Sequence, residues 1–297
     1  MAPQQVTLSP VRVALALDIG GTKIAAGVVD DRGSILSQQR IATPATASAG
    51  QLWDAVAALV DGVLATAPAA PEVAGVGCGG PMTPGGDEVS PLNIPAWRAF
   101  GLRKRLAAHT GLAVHVDNDA KALALGEGWV GAARGESDYL AMVVSTGVGG
   151  GIVVDGRLLD GASGNAGHIG HVVVVPGGRP CGCGARGCLE AEASGNAIQA
   201  ITGRPAAEAS DETVERTGTL VGRAVGSAVH LLDLRLAVVA GSVALGFGAP
   251  FFAAAQAELD AVARLEYARG AHIVPGGLGA DGPLIGAAAV GWRGAAL

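Results

Sequence analysis

The 297-residue sequence predicts a mixed α/β fold. Apolar segments typical of buried strands alternate along the chain with segments in which apolar residues recur at helical spacing. Two strand pairs form hairpins that bend at glycine-rich loops, within residues 11–36 and 139–159. The length suggests about two domains of ~150 residues each. Because the two hairpins share one design, they hint at an internally duplicated architecture.

The remaining elements follow from periodicity and from chain breakers. After the first hairpin, apolar residues at helical spacing predict a helix over 51–67, which Pro68 and Pro71 end. Before the second hairpin the pattern predicts a buried strand at 73–80, an irregular loop to Pro95, a short helix around Leu102 and Leu106, a strand at 112–119 and a helix over 120–130. After that hairpin it predicts a long helix around 220–232, a strand at 236–240, a helix over 251–265, a strand at 271–275 and a final helix over 284–292.

Composition and charge argue against several kinds of partner. The net charge is −6 and the pI is near 5.5, whereas nucleic acids and anionic membranes attract clustered Lys and Arg. No apolar run reaches the ~18–20 residues of a membrane span, and the opening MAPQQVTLSP resembles no signal peptide. We therefore expect a cytoplasmic protein with no nucleic-acid or membrane partner.

The bend of the first hairpin, DIGGTK, has the residues of a phosphate cradle. Gly20 and Gly21 carry no Cβ, so their backbone N–H groups can approach an anion, and Thr22 and Lys23 can add donors. Asp18 lies at the strand end, where a carboxylate can hold Mg²⁺. The segment matches neither the P-loop nor the dinucleotide-binding pattern. A plain glycine hairpin with a solvated aspartate is the alternative.

The bend of the second hairpin, STGVGGG, is a second candidate cradle. It offers the hydroxyls of Ser145 and Thr146 together with four glycines, among them Gly147 and Gly149. Two loops of this kind, each between β-strands, are what gripping a polyphosphate from two sides requires. The alternative is chance, because the chain contains 48 glycines, far above the usual ~7%.

The segment DNDAK places Asp117, Asn118 and Asp119 between an apolar strand and a helix. A carboxylate at such a junction can accept the proton of a substrate hydroxyl as that hydroxyl attacks phosphorus, and a neighbouring amide can hold the hydroxyl. Asp119 is the candidate general base. The alternative is helix N-capping, which Asp and Asn both perform well.

A metal site is indicated by one histidine and three cysteines. His171, Cys181, Cys183 and Cys188 have the spacing H-x₉-C-x-C-x₄-C, and a closed Cys₃His set is typical of structural Zn²⁺. The alternative is three reduced cysteines beside an unrelated histidine. His168, three residues before His171, could be a substrate contact, an alternative ligand or a surface residue.

These segments together resemble the ROK family of repressors, uncharacterised reading frames and sugar kinases. The motifs that carry the resemblance are LALDIGGTKIAAGVVD, VDNDAKALALGE, STGVGGGIVVDG and GHIGHVVVVPGGRPCGCGARGCLEAEASG. The resemblance implies an actin-like ATPase (ribonuclease H-like) fold with two α/β lobes and an interlobe cleft. It places a small lobe at 1–118 plus 281–297 and a large lobe, carrying the zinc loop, at 119–280.

The resemblance also implies an activity, ATP-dependent phosphorylation of a hexose 6-hydroxyl, with ATP, Mg²⁺ and structural Zn²⁺ as cofactors. Asp119 would take the hydroxyl proton, and Asp18 would organise Mg²⁺. Further sugar contacts would come from Asn93, Asn118, His168, His171 and Glu190, phosphate contacts from Gly20–Lys23 and from Ser145, Thr146, Gly147 and Gly149, and the adenosine-side turn from Gly241 and Ser242. Relatives commonly form homodimers, so we expect one here.

The preferred sugar, the phosphoryl donor and the class of protein each have an alternative. Many family glucokinases have Glu where this sequence has His168, and the GHIGH form resembles N-acetylmannosamine kinases, so the preferred hexose stays open. Polyphosphate could replace ATP as the donor. A non-catalytic regulator or sensor is the alternative class; the family's repressors carry an N-terminal helix-turn-helix segment, for which the roughly ten residues before the first strand leave no room.

Overall fold

Two five-stranded mixed sheets form the framework of the computed structural model, which describes residues 11–44 and 48–296. The first has the order β3-β2-β1-β4-β5 and consists of β1 (Val13–Ile19), β2 (Lys23–Asp30), β3 (Ile35–Ala42), β4 (Val73–Cys78) and β5 (Ala113–Asn118). The second has the order β8-β7-β6-β9-β10 and consists of β6 (Tyr139–Val144), β7 (Val148–Val154), β8 (Arg157–Leu158), β9 (Leu236–Ala240) and β10 (His272–Pro275).

The two sheets have the same topology. In each sheet the first three strands in the chain, β1–β3 or β6–β8, form an antiparallel meander. The first strand of the meander also pairs in parallel with the fourth strand (β1 with β4, β6 with β9), and the fourth pairs in parallel with the fifth (β4 with β5, β9 with β10). The internal duplication that the two hairpins indicated is therefore confirmed at the level of strand pairing. Each sheet gathers the carboxyl ends of three parallel strands along one edge, where α/β folds place their sites.

Helices cover both sheets. They are α1 (Ala49–Ala65), α2 (Leu102–Thr110), α3 (Asp119–Val130), α4 (Leu189–Ala193), α5 (Gly195–Thr202), α6 (Asp211–Leu232), α7 (Ser242–Phe247), α8 (Ala249–Val262) and α9 (Gly282–Ala295). The first sheet buries its core against α1 and α2 on one face and α9 on the other, and the second packs against α6 and α8. Among the described residues, no helix combines the length and the apolarity that crossing a membrane requires.

The predicted elements are confirmed in type, while several ends differ by a few residues. Helix α1 begins at Ala49 because Ser48 caps it, with its side chain accepting from the Gln51 N–H and its own N–H donating to the Gln51 side chain. Strand β4 ends at Cys78, before two glycines and Pro81 leave the sheet. Strand β3 and the helices α4, α5 and α7 had no predicted counterpart. The three helices are short, so the apolar residues in them show little periodicity.

Helix α3 lies between the two sheets and crosses α9 at very short range. A Cβ on Gly126 would lie 3.0 Å from the Gly286 Cα, and a Cβ on Gly286 would lie 2.5 Å from the Ala122 carbonyl oxygen. On its other side α3 packs against β7, because a Cβ on Gly149 would lie 2.8 Å from the Ala120 Cβ. The helix that begins with Asp119 is thus held by both sheets.

A fully buried carboxylate fixes the far end of α3. Glu127 accepts hydrogen bonds from the N–H groups of Ala132 (2.7 Å), Gly277 (3.0 Å) and Leu278 (3.4 Å), which joins the end of α3 to the segment before α9. We expect Glu127→Ala to lower the free energy of unfolding by about 2–4 kcal/mol, because several backbone donors lose a charged acceptor. Glu127→Gln keeps one acceptor oxygen and should lose less; equal denaturation midpoints for the two variants would contradict this role.

Candidate active site

The candidate catalytic segment lies at the carboxyl edge of the first sheet. Asp18 on β1 is paired with Gly77 on β4, and Gly77 is paired with Asp117 on β5, so the three residues lie at one level across parallel strands. The Cα of Asp119 lies 3.5 Å from the position of a Cβ on Gly77. Since Gly77 has no side chain, the space above β4 is left to Asp119.

The strand-to-helix turn places a helix cap and a second carboxylate on adjacent residues. Asn118 is the N-cap of α3, and its Oδ1 accepts from the Ala120 N–H at 3.0 Å. Asp119 opens the helix with an exposed side chain, and its Oδ1 accepts from the same N–H at 2.8 Å. Oδ2 of Asp119 accepts no hydrogen bond from the described residues. Asn118 is therefore the cap, and one carboxylate oxygen of Asp119 is left without a hydrogen bond from the described residues.

Two carboxylates near each other give the site unusual proton affinities. Burial raises the pKa of Asp18 to about 7, the charge of Asp119 adds to that rise, and Lys23 opposes it. The Asp119 side chain is reached by solvent but has protein on most sides, and this loss of surrounding water raises its pKa against the opposing effects of the Ala120 N–H and of His168. A carboxylate that holds a proton more readily than usual is suited to general-base chemistry near neutral pH.

The first glycine loop joins β1 to β2 beside these carboxylates. The Gly20 N–H donates to the Lys23 carbonyl at 3.0 Å, so this donor is used within the hairpin, whereas the side chains of Thr22 and Lys23 are exposed. A Cβ on Gly21 would lie 2.5 Å from the Cβ of Asn93. The loop that carries the predicted sugar contact Asn93 therefore packs directly on the predicted phosphate loop.

The second glycine loop lies at the carboxyl edge of the second sheet and meets the predicted adenosine-side turn. The Oγ atoms of Ser145 and Ser242 are 2.9 Å apart. Gly241 has φ +101°, and a Cβ there would lie 2.4 Å from the Val144 carbonyl oxygen, so this position requires glycine. Thr146 and Ser242 are exposed. The structure thus brings together two loops that are about a hundred residues apart in sequence.

Three further predicted contact residues are linked to one another and to the second glycine loop. Oε2 of Glu190 accepts from the Val148 N–H at 3.0 Å, which ties Glu190 to the second glycine loop. The rings of His168 and His171 stack with centroids 5.9 Å apart. Burial and the nearby His171 lower the pKa of His168, while Asp119 and Glu190 act in the opposite direction. His168 is thus near enough to Asp119 and Glu190 for both charges to act on it.

The four predicted metal ligands form one cluster. The ligand atoms of His171, Cys181, Cys183 and Cys188 all lie within 4.8 Å of one another. The Cys183 and Cys188 sulfurs are 3.7 Å apart, and Cys181 Sγ is 3.7 Å from His171 Nδ1. Ligands at about 2.3 Å in a tetrahedron are about 3.8 Å apart, so the donor set fits Zn²⁺. Because Nδ1 of His171 points to this cluster, Nε2 is the ring nitrogen that faces away from it.

Sequence reasoning missed the side chains that support this cysteine-bearing loop. Buried Glu192 accepts from the Arg179 N–H at 2.7 Å and pairs with Arg216 of α6 at 2.6 Å. Arg216 also donates to the Glu192 carbonyl oxygen at 2.8 Å. One indication of Glu192 was present in the sequence, its position two residues after Glu190. Its partner Arg216 lies 24 residues further along the chain, so no local pattern pairs the two.

The duplicated sheets, the helices between them and the paired loops define an actin-like ATPase fold. The ROK family model matches residues 14–292, and the chain belongs to the ROK family. A Streptomyces coelicolor glucokinase is 36% identical over 278 residues, covering 92% of this chain and 84% of the relative. A Pasteurella multocida N-acetylmannosamine kinase is 35% identical over 250 residues, covering 79% and 82%. The crystal structure of a ROK family glucokinase from Streptomyces griseus in complex with glucose and AMPPNP has a TM-score of 0.82 at 31% identity, covering 95% of this chain and 99% of that one.

Proposed function

We propose that the chain is an ATP-dependent sugar kinase that transfers the γ-phosphoryl group of ATP to the 6-hydroxyl of a hexose or N-acetylated amino-hexose. The observation that carries this proposal is the exposed Asp119 carboxylate, with one free oxygen, between a sheet edge bearing one glycine loop and a sheet edge bearing the other. The names of the relatives, glucokinase and N-acetylmannosamine kinase, support the substrate class.

In this proposal each residue acts through atoms that the structure leaves available. Asp119 Oδ2 takes the proton of the attacking hydroxyl, and Asn118, whose Oδ1 is engaged in capping, offers its Nδ2 to a ring hydroxyl. Thr22, Lys23 and Thr146 hold the phosphates. When bound with ATP, Mg²⁺ neutralises phosphate charge, and Asp18 is the residue that would hold it.

The sugar side would be formed by Asn93, His168, His171 and Glu190. His168 can give a sugar hydroxyl a hydrogen bond from a neutral imidazole, whereas a glutamate would offer two charged oxygens. The charge of residue 168 therefore does not select between glucose and N-acetylmannosamine. We further propose a structural zinc at the cysteine cluster, lobe boundaries near 118/119 and 280/281, a homodimer and a cytoplasmic location. A panel assay distinguishes glucose, mannose and their N-acetylated derivatives as substrates.

The test is release of ADP from ATP in the presence of a sugar panel. We expect turnover with at least one of glucose, mannose, N-acetylmannosamine and N-acetylglucosamine, and no turnover with a 6-deoxy analogue of the sugar that reacts. Parallel assays with polyphosphate identify the donor. Sugar binding by calorimetry without any phosphoryl transfer would reject the kinase and favour the non-catalytic sensor.

A further inference from the structure

A buried lysine lies next to the candidate active site and has no part in the mechanism above. Lys121 is on the first turn of α3, and only 3% of its side chain is exposed. Its Nζ lies 2.7 Å from Asp160 Oδ1, 2.9 Å from Asp117 Oδ1 and 3.3 Å from the Gly164 carbonyl oxygen. An ammonium group has three N–H donors, so these acceptors match its capacity.

Stability alone gives little reason for a charge at this position. The neighbours of Lys121 in the helix are the buried Ala120, Ala122 and Leu123, and an apolar side chain would fit that series. Replacing a buried ion pair by apolar residues is often neutral or stabilising. The ammonium group therefore has to be explained by what its partners hold in place.

One partner belongs to the turn that presents Asp119. Asp117 Oδ1 accepts from the N–H of Asn118 at 2.8 Å as well as from Lys121. The two bonds fasten the end of β5 and the first turn of α3 on either side of Asp119. Residues 119 and 121 are about 200° apart around a helix, so Lys121 points away from the cleft that Asp119 faces.

The other partners belong to the segment that leads to His168. Asp160 begins this segment, its carbonyl oxygen accepts from the Ala166 N–H at 3.0 Å, and Gly164 lies four residues before His168. Arg293 of α9 adds a second cation, 3.4 Å from Asp160 Oδ2 and 3.7 Å from Asp117 Oδ2. Burial alone would raise the pKa of Asp160, but Lys121 and Arg293 together lower it.

Apolar packing does not hold this segment. A cavity of about 310 Å³ lies between residues 160–164 and the loop at 82–86, and none of its lining residues is a predicted site residue. The two segments meet beside it, where a Cβ on Gly164 would lie 3.6 Å from the Pro84 Cα. Side chains 161–163 are exposed.

The polar contacts of residues 160–165 with other segments include the bonds to Lys121, the pair between Asp160 and Arg293, and one hydrogen bond from Asn165 to the Met82 carbonyl oxygen at 3.4 Å. Of these contacts, the two shortest are those to the buried Lys121.

We propose that Lys121 is a positioning residue for the sugar: through Asp117 and Asp160 it sets the distance between Asp119 and the segment carrying His168. This inference rests on the proposed kinase function and adds to it a residue outside the substrate contacts. Loss of the ammonium group releases residues 160–168 while the two phosphate loops, which it does not touch, keep their places.

The test replaces Lys121 with methionine, which keeps the length of the side chain and removes the charge. We expect the KM for the sugar to rise about tenfold or more, with the KM for ATP changed less than about threefold. Lys104→Met on the exposed face of α2 makes the same chemical change away from the site and should alter neither constant. Equal increases in both KM values would overturn the proposal, because a general loss of structure affects both substrates.

A second variant covers the case in which Lys121→Met folds poorly. Asp160 is half exposed, and Asp160→Asn removes the charge of one partner with little loss of packing. We expect the same selective rise in the sugar KM, and the double variant should be no worse than the worse single variant. An unchanged sugar KM in Asp160→Asn, or fully additive effects in the double variant, would reject the coupling.

A readout independent of activity separates this inference from the proposed function. Hydrogen exchange of peptides within 160–168 should speed up in Lys121→Met and Asp160→Asn, while peptides of the glycine loops exchange as in the unmodified protein. If the unmodified protein phosphorylates no sugar, the proposed function fails, and exchange still decides the positioning role. Unchanged exchange at 160–168 would refute it.

Discussion

Replacing Asp119 with asparagine is expected to lower turnover by about 10²–10⁴-fold while sugar affinity stays within several-fold, because removal of a general base affects the proton transfer and leaves the binding contacts in place. Asparagine has nearly the same shape, and its Oδ1 can accept from the Ala120 N–H as Asp119 Oδ1 does. The substitution also removes a charge that burial disfavours, as the raised pKa of Asp119 shows. The thermal midpoint should therefore not fall.

Steady-state kinetics, sugar calorimetry and thermal unfolding on the same preparation test this expectation. Asp54→Asn, an identical change at an exposed position on α1, serves as the matched control and should keep full turnover. Near-normal turnover of Asp119→Asn would remove Asp119 from the role of base. A loss of turnover that accompanies an equally large loss of sugar binding would instead assign Asp119 to binding alone.

The sequence predicts features of the site that are encoded in adjacent residues. A glycine bend between two apolar strands specifies a hairpin by itself, which is why both glycine loops and the duplicated topology could be recognised. The four candidate metal ligands lie within 18 positions, from His171 to Cys188, so their spacing alone indicates a metal cluster. The order strand, acids, helix at 112–130 likewise places Asp119 at a sheet edge.

What the sequence does not specify are contacts between distant segments. Lys121 and Asp160 are 39 residues apart, and Glu192 and Arg216 are 24 apart, so no local pattern pairs them. Lys121 did carry one signal, because it is the one charged residue in the run AKALAL, four residues after Asp117. That signal shows that the lysine needs a partner inside the protein, but the second partner follows only from the packing of α3 between the sheets.

The hydrogen bond between Glu190 and Val148 is a further contact between distant segments, since the two residues are 42 positions apart. Its donor belongs to the second glycine loop and its acceptor to the residue two places after the last cysteine ligand. The resemblance assigns Glu190 to the sugar, whereas the structure also makes it a brace between the metal loop and a phosphate loop. We therefore expect loss of the metal to be felt at both substrates, in contrast to the selective effect expected for Lys121→Met.

Removal of one cysteine ligand should abolish zinc binding. We expect chelator-washed protein to retain about one zinc per chain and Cys183→Ala to retain little, because a closed Cys₃His site cannot replace a missing thiolate. Cys183 is exposed, so its truncation leaves no large cavity and the change in stability reports on the metal. A fall in the thermal midpoint of roughly 5 °C or more is expected, together with higher KM values for both the sugar and ATP.

Cys78 supplies the control for this experiment. Cys78 is the cysteine outside the metal cluster, and it lies fully buried at the end of β4. Cys78→Ala removes a thiol from the core and should lower the midpoint through packing alone, with the zinc content unchanged. Elemental analysis distinguishes the two causes. A full zinc content in Cys183→Ala would remove Cys183 from the ligand set, and no zinc in the washed unmodified protein would show that the cysteine cluster holds the loop without a metal. In that case the support of Glu190 and of the second phosphate loop has to come from the Glu192–Arg216 pair instead.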